Sequence, residues 1–595
     1  MFKKIKKLLV ETLVFLMIIT PAIAAIDSHH VTQGGAGAYT GVDWSNAFSI
    51  AQFNSSGNWD TDIADDNKIG PGDYVYFQGT FSTQIKTPQN MGGSSGYPIT
   101  LDGWKDGTCN QVANLGCSND AKFDLGRSDS TSNIGIYIPG GSYIIIQDFE
   151  VDDSFGGFLA VGPSSGGSGT HLTLRRVHMH NLEATAWNFS ANPSNGYVGH
   201  HYVTVGGALG DGNYIYSVKE ECLTQDPCEG HDSKADHGDD LVVSYNYNTR
   251  PSEDQDGGDG SNILAIHTGD RVLVEYNTFE YPHGQAVIAL KEQNGQDKIV
   301  RFNKLRGSGE SGCVGVSGKA SQPNKNFAIY CNLMYDTDTG VRTYKDYENI
   351  RIWSNLIHNV NLLPTEDKAH GYYTIEDSDN QSTGPVYFYN NTVARVDMDG
   401  DCGSNSGGLY IYPDENYAFY GKNNIFVDNL RDYNGNQIYV ETGGEWGIPD
   451  LDYNLYYVAG GTPYIRWSSS SRTLSWMVSN TSHCDNYLIG DPKFADANGA
   501  DNIHGTADDD YRLASDSPAR GTGDDLSSCW NITVQGTVYN LCYQTGLDED
   551  TDWTTIPPTV LTATRSTWDR GAYVYGSGGG TPPSSPSGLV IINNQ

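Results

Sequence analysis

The sequence predicts an all-β protein, a right-handed parallel β-helix solenoid with a short N-terminal capping helix. Short β-branched strands ending in Asn or Asp recur along the chain, a second set of short strands precedes them, and Gly, Asn and Asp supply the bends between the two sets.

The first set comprises the segments Tyr143 to Asp148, Leu241 to Asn246, Val272 to Asn277, Ile299 to Asn303, Ala328 to Asn332, Ile350 to Asn355, Val386 to Asn390 and Tyr417 to Asn424. From Asn246 onward the interval is roughly 23 to 35 residues, the range in which a repeat marks a stacked solenoid. The second set comprises Ile263 to His267, Val287 to Lys291, Val314 to Ser317, Val341 to Tyr344, Tyr373 to Glu376 and Tyr410 to Tyr412. A β-sandwich would favour tight hairpin signals at a spacing of about 8 to 12 residues, and Asn-Gly dipeptides are sparse here.

The ends fit the same plan. Lys3, Lys4, Lys6 and Lys7, the apolar run Leu8 to Ile19 and the small residues up to Ala24 read as a secretory signal, so a soluble, secreted, extracellular protein is expected. No later run approaches the roughly 20 apolar residues of a membrane span. Asp43 to Ala51 reads as a short capped helix over the first turn's open edge. Asp491 to Phe494, Asp510 to Leu513 and Ser517 to Ala519 resemble the closing turn of secreted β-helix proteins. The expected division is therefore a signal peptide at 1–24, one β-helix domain at 25–575, and a Gly/Pro/Ser linker with a short tail at 576–595.

A formal net charge of −36 repels nucleic acid and anionic lipid, so neither is expected as a partner. The ten cysteines, an even number in a chain that leaves the cytosol, read as disulfides rather than zinc ligands, because no C-x-x-C pair is present. Sequence neighbours suggest Cys109 with Cys117, Cys222 with Cys228, Cys313 with Cys331, and Cys529 with Cys542, leaving Cys402 for Cys484; spacing alone leaves other connectivities open.

With Ile266, Leu290, Val316 and Ile375 directed inward, alternation puts His267, Lys291, Ser317, Tyr344 and Glu376 in one outward column. Ala265, Ala289, Gly315, Arg342, Thr374 and Tyr410 fall in the column beside it. Such a ladder, with small residues in the middle and Tyr344, Tyr410 and Tyr412 at one end, suits an extended chain of sugars; tyrosines that merely decorate a solvated sheet are the plainer alternative.

One turn upstream lies the segment Glu229 to Asp240, with Lys234 placed twelve residues before Asn246, as Lys291 is before Asn303. This segment resembles the β-helix pectate lyases that use a lysine base within a D-G-x-x-x-K segment, with Glu229 standing where the first Asp is usual. The resemblance implies Lys234 as the base and Asp232, Asp236, Asp239 and Asp240 as Ca²⁺ ligands, with Asp256 and Asp259 on the following loop as further candidates for a shared Ca²⁺ site. The acidic stretch Asp496 to Asp510 is likewise rich in the oxygen ligands Ca²⁺ takes, and bound Ca²⁺ is expected to stabilise the fold. Lys291 to Asn294 resembles the K-S-x-x-N segment of alginate and chondroitin lyases, although Val316 to Lys319 replaces the L-R-H-G expected on the next turn. Of the polygalacturonase segments only Asp239-Asp240 and His283-Gly284 are found, and the carboxylate pair that hydrolysis needs would be Asp239 or Asp240 with Glu376.

The implied chemistry is β-elimination from a uronic-acid-containing polysaccharide, which needs a neutralised substrate carboxylate and a base of lowered pKa. His267, Lys234, Lys291 and Arg342 are the catalytic candidates, and Tyr344, Glu376, Tyr410 and Tyr412 the substrate-binding ones. A non-catalytic, glycan-binding or adhesive β-helix is the second class.

Overall fold

Each turn of the chain supplies three short strands, and each strand pairs in parallel with its counterparts on the turns before and after. In the computed structural model the described residues are 27–576, apart from segments 64–66, 104–120, 128–130, 163–168, 191–199, 219–230, 237–238, 250–261, 268, 281–285, 292–294, 308–311, 319–323, 345–346, 361–368, 376–383, 399–405, 413–417, 430–434 and 469. The protein is a three-faced parallel β-helix. Two faces join at Tyr74–Phe81, which pairs with Ile99–Asp102 on the first and with Ala121–Gly126 on the second, and among the described residues they together hold 28 strands. The third face has 14 among the described residues, the last of them, Ser470–Thr473, antiparallel, and includes His231–Asp236, Asn262–His267, Ala286–Lys291, Gly312–Ser317, Thr339–Tyr344, His370–Ile375, Gly407–Ile411 and Asn436–Val440.

Alternating residues fill the interior with a continuous apolar column that includes Val274, Val300 and Ile329 from the first face, Phe279 and Met334 from the second, and Ile266, Leu290 and Val316 from the third. The corner between the first two faces is one residue in the left-handed conformation, as at Tyr276 (φ 56°), Phe302 (59°) and Cys331 (52°), followed by an asparagine. Those asparagines, from Asn213 through Asn246, Asn277, Asn303, Asn332, Asn355, Asn391 and Asn424 to Asn454, form an unbroken internal ladder. The strand-terminal Asn expected at 390 is the left-handed residue (φ 55°), and the ladder member is Asn391.

At the N-terminal end, the predicted helix from Asp43 to Ala51 is two shorter pieces. Asp43 caps a 3₁₀ turn at Trp44–Asn46, the strand Phe48–Ser49 pairs with Val31 and Thr32, and a capping box between Ser49 and Gln52 starts the four-residue helix Ile50–Phe53. Extended backbone at Ala47 (ψ 144°) and the pairing of Phe48–Ser49 interrupt the longer helix.

At the C-terminal end, the chain does not simply close a turn. It runs back outside the first two faces as three two-stranded antiparallel units, the central one being Cys529–Val534 with Thr537–Cys542. Ile532, Val534, Tyr539 and Leu541 pack in one buried cluster with Tyr245, Tyr276, Phe302, Tyr330 and Trp353. Gln535 donates to Asp240 and to the carbonyl oxygen of Val203, some 300 residues earlier in the chain.

The Cys529–Cys542 disulfide is present, with an S–S distance of 2.02 Å. The pairing of Cys313 with Cys331 is not. Cys313 lies in the interior cluster, whereas Cys331 occupies an outward corner beneath the C-terminal segment, so a sheet separates them. Cys484 is a buried thiol, pushed up to about 12 by burial. Cys109, Cys117, Cys222, Cys228 and Cys402 lie outside the described residues, as do residues 1–26, where a signal peptide is expected, and 577–595.

Candidate functional site on the third face

Hydrogen-bond register, rather than counting from the asparagines, decides which side chains share a column. The central column of the third face runs Lys86, Tyr137, Leu159, Asn188, Lys234, Ala265, Ala289, Gly315, Arg342, Tyr373, Tyr410, Tyr439 and Arg466. Beside it, Asp236 pairs with His267 and His267 with Lys291, while Ser317 pairs with Tyr344 and Tyr344 with Ile375.

Three expectations change. Lys234 is the counterpart of Ala265 and Ala289, not of Lys291, because two more residues separate Ala289 than Lys234 from its ladder asparagine. Thr374 yields its place to Tyr373: Thr374 pairs with Thr343 and is buried with its hydroxyl on Tyr347 Oη, while Tyr373 follows Arg342. Ile375 is the register partner of Tyr344, the place expected for Glu376, which itself lies outside the described residues.

The tyrosines form a packed bed rather than an open platform. Tyr373 and Tyr410 meet edge to face at 5.0 Å and Tyr410 and Tyr439 at 4.7 Å, His370 stacks on Tyr373 at 4.5 Å, and Tyr410 Oη donates to Glu441. Tyr373, Tyr410 and Tyr439 are buried, and burial followed by the Glu441 carboxylate raises the Tyr410 hydroxyl far above its ordinary pKa. Tyr344, Tyr412, Arg342, Arg466 and Lys291 are half-buried. The Arg342 guanidinium lies 5.6 Å from the Tyr344 ring and 5.7 Å from Tyr373, and that of Arg466 lies 4.5 Å from Tyr439. The rings thus hold two guanidinium groups over the face by cation–π contact. Tyr373, Tyr439, Arg466, His370 and Glu441 were not singled out from the sequence. Tyr439 and Arg466 sit in strands after Asn424, where the strand-plus-asparagine pattern fades.

Toward the middle, the floor is Ala265, Ala289 and Gly315, with His267 and Lys291 alongside on adjacent strands. Adjacent strands lie about 4.8 Å apart, so Lys234 and Arg342, four strands apart, stand roughly 19 Å from one another. By the same spacing, and two residues along the strand, Lys291 and Arg342 are roughly 12 Å apart at the backbone. Two long side chains can close that interval around one sugar ring; the wider one they cannot.

Two of the proposed Ca²⁺ ligands sit on another face of the solenoid than the Lys234 strand. Asp239 and Asp240 belong to the first face, in the strand Asp239–Ser244. Asp240 accepts from Arg271 Nε at 3.0 Å and Nη2 at 2.9 Å and from the Gln535 N–H, while Asp239 accepts from the Asp270 N–H and lies 3.4 Å from Arg271. Asp232 and Asp236 belong to the third-face strand His231–Asp236, in which Asp236 is the register partner of His267. Asp256 and Asp259 lie outside the described residues. In the stretch 496–510, Asp508 accepts from the Asp501 N–H and the Thr506 hydroxyl, Asp509 from the Gly505 N–H, and Asp510 pairs with Arg512. Among the described residues, Asp239, Asp240, Asp508, Asp509 and Asp510 are each engaged by arginine, hydroxyl or backbone N–H donors. Asp239 and Asp240, turned to the first face, do not offer a carboxylate pair for hydrolysis on the third.

No family model matches the sequence, and no curated protein matches it. Among solved structures, the chain is similar to pectate lyase Pel9A at 13% identity, over 86% of this chain and 96% of that one, with a TM-score of 0.29. It is similar to the PL6 family alginate lyase AlyGC at 14% identity over 77% and 57% of the two chains (TM-score 0.39), and to the GH136 lacto-N-biosidase from Eubacterium ramulus at 12% over 78% and 68% (TM-score 0.31). The fold itself rests on the strand topology above.

Proposed function

We propose that the protein is an extracellular lyase that lays an acidic polysaccharide along the third face and cleaves it by β-elimination between Lys291 and Arg342. The observation that carries this reading is the pair of guanidinium groups, Arg342 and Arg466, held by tyrosine rings in one column of a chain whose net charge is −36. A predominantly acidic protein that keeps cations in register on one face has a place for a regularly spaced polyanion there.

In this reading Arg342 neutralises the uronate carboxylate, which acidifies the adjacent C5 proton, and Lys291 in its neutral form takes that proton. The C5 electron pair forms the C4–C5 double bond, the glycosidic oxygen leaves C4, and it takes a proton from His267, the register partner of Lys291. Arg466 and the fringe of Tyr344 and Tyr412 hold further sugars. Lys234, at the far end of the small-residue floor, binds the chain in a separate subsite.

Incubation with pectate, alginate and glycosaminoglycans, followed by the ultraviolet absorbance of the unsaturated product, tests this. A rise on one polymer class that persists in excess chelator supports the assignment; a rise that chelator abolishes returns the neutralising role to Ca²⁺. If no polymer gives product but one is retained on the immobilised protein, the second reading stands, a glycan-binding β-helix. That reading is favoured by the burial of Tyr373 and Tyr410 as a rigid bed.

A further inference from the structure

On the outer side of the second face, four consecutive turns set side chains in a regular grid. Lys122 pairs with Glu150 in register, Glu150 with His178, and His178 and His180 with Tyr214 and Tyr216. Met179, between the two histidines, is in the interior, so both imidazoles are outward, yet each is more than nine-tenths buried. His180 Nε2 lies 3.2 Å from Glu150 Oε1 and its Nδ1 lies 3.1 Å from Asp152 Oδ1. Glu150, Asp152 and His180 can each offer a ligand atom, all within 4.8 Å of one another.

We propose that Glu150, Asp152 and His180, with the unpartnered His178 beside them, form a site for a divalent transition-metal ion of the zinc class, which in the metal-free protein is filled by the ammonium of Lys122. Two observations point there beyond the cluster itself. The Lys122 Nζ lies 3.2 Å from Glu150 and 2.7 Å from Asp152, so the gap between the carboxylates already holds a cation. His178 Nε2 is buried without a hydrogen-bond partner, and its ring centroid is 4.4 Å from that of His180. A buried ring nitrogen left without a partner is costly unless something binds it. An imidazole with two carboxylates, and a second imidazole next to it, suits Zn²⁺ over Ca²⁺ or Mg²⁺, and tetrahedral ligands about 2.0 to 2.1 Å from a metal lie roughly 3.3 Å apart, close to the His180–Glu150 separation. Because Glu150 and Asp152 come from one turn and the histidines from the next, the ion would staple turns of the solenoid on a face away from the polysaccharide column.

The test is titration of the whole protein with Zn²⁺, followed by calorimetry, and with Co²⁺, followed by visible absorption. The expected result is one saturable site with the strong visible bands of four-coordinate Co²⁺. Lys122→Met should tighten it roughly tenfold or more by removing the competing ammonium, while His180→Gln and Asp152→Asn should each weaken it by a similar factor or more. Folding of each variant is checked by circular dichroism, and if His180→Gln does not fold, Asp152→Asn and Lys122→Met decide. Weak, multiple binding that these variants leave unchanged, or pale six-coordinate Co²⁺ spectra in the wild type, would overturn the site and leave the cluster as an ion-pair network around Lys122.

Discussion

Asn303 is joined to Asn332 twice: its backbone N–H and its side-chain Nδ2 both donate to Asn332 Oδ1, each at 3.0 Å. Asn303 Oδ1 in turn accepts the same pair from Asn277, and its Nδ2 also reaches the Val274 carbonyl. Replacing Asn303 by Ala leaves the buried Asn277 N–H without its acceptor, takes one of two acceptors from Asn277 Nδ2 and one of two donors from Asn332 Oδ1, and strips the Val274 carbonyl of the Nδ2 donor. We expect Asn303→Ala to cost about 2 to 4 kcal/mol, measured by denaturant unfolding, with Asn303→Asp no better because it lacks the Nδ2 donor.

Lys298 is fully buried, on the same side of its strand as interior Val300, with Nζ 5.5 Å from the centre of the Phe327 ring and no hydrogen-bond partner. Burial lowers its pKa to about 8. The folded value lies below the unfolded one, so the unfolded chain binds more protons between about pH 8 and 10.5, and stability rises with pH across that window. Below pH 8 the penalty is complete, on the order of 3 kcal/mol. Lys298→Met should therefore raise the Tm at neutral pH and flatten the dependence between pH 8 and 10.5; an unchanged slope would place the titration elsewhere.

Glu275 and Arg301 form a buried ion pair at 2.6 Å, and the Arg301 guanidinium stacks 4.9 Å from Tyr539 of the returning C-terminal segment. Removing one partner strands the other charge. Arg301→Met should cost about 3 to 5 kcal/mol, and the double change Arg301→Met with Glu275→Leu should recover most of it. Limited proteolysis of the C-terminal segment, faster in the single variant than in the double one, checks the same point.

The register separates the catalytic candidates. Lys291→Ala should remove turnover, Arg342→Ala should lower it by about 10²-fold or more, and Lys234→Ala should change binding more than turnover. Arg466→Ala should weaken binding of long chains and leave that of the shortest cleavable oligomer unchanged. Steady-state measurements on one cleaved polymer decide, and full turnover in Lys291→Ala would return the base to Lys234.

The solenoid was legible because its strands carry two local signatures, β-branched alternation and a terminal asparagine whose buried amide the fold needs on every turn. Both sets of predicted strands lie on faces of the structure. The third strand of a turn is short, three residues at Thr278–Glu280 and Lys304–Arg306 and five at Leu333–Thr337 and Leu356–Val360, and was not read as a set of its own from the sequence. Corner lengths were equally silent. A corner two residues longer after Ala289 than after Lys234 moves Lys291 out of the Lys234 column, and only the backbone hydrogen bonds between turns reveal it. The same holds for the tyrosine bed that carries Arg342 and Arg466, for the separation of Cys313 from Cys331 by a sheet, and for the capture of Asp239 and Asp240 by Arg271. By itself the sequence determined that the chain would stack as a solenoid, since that follows from residue types at short range. The tertiary structure decided which side chains from different turns meet, because register, corner length and the return of the C-terminal segment are set by contacts between residues tens to hundreds of positions apart.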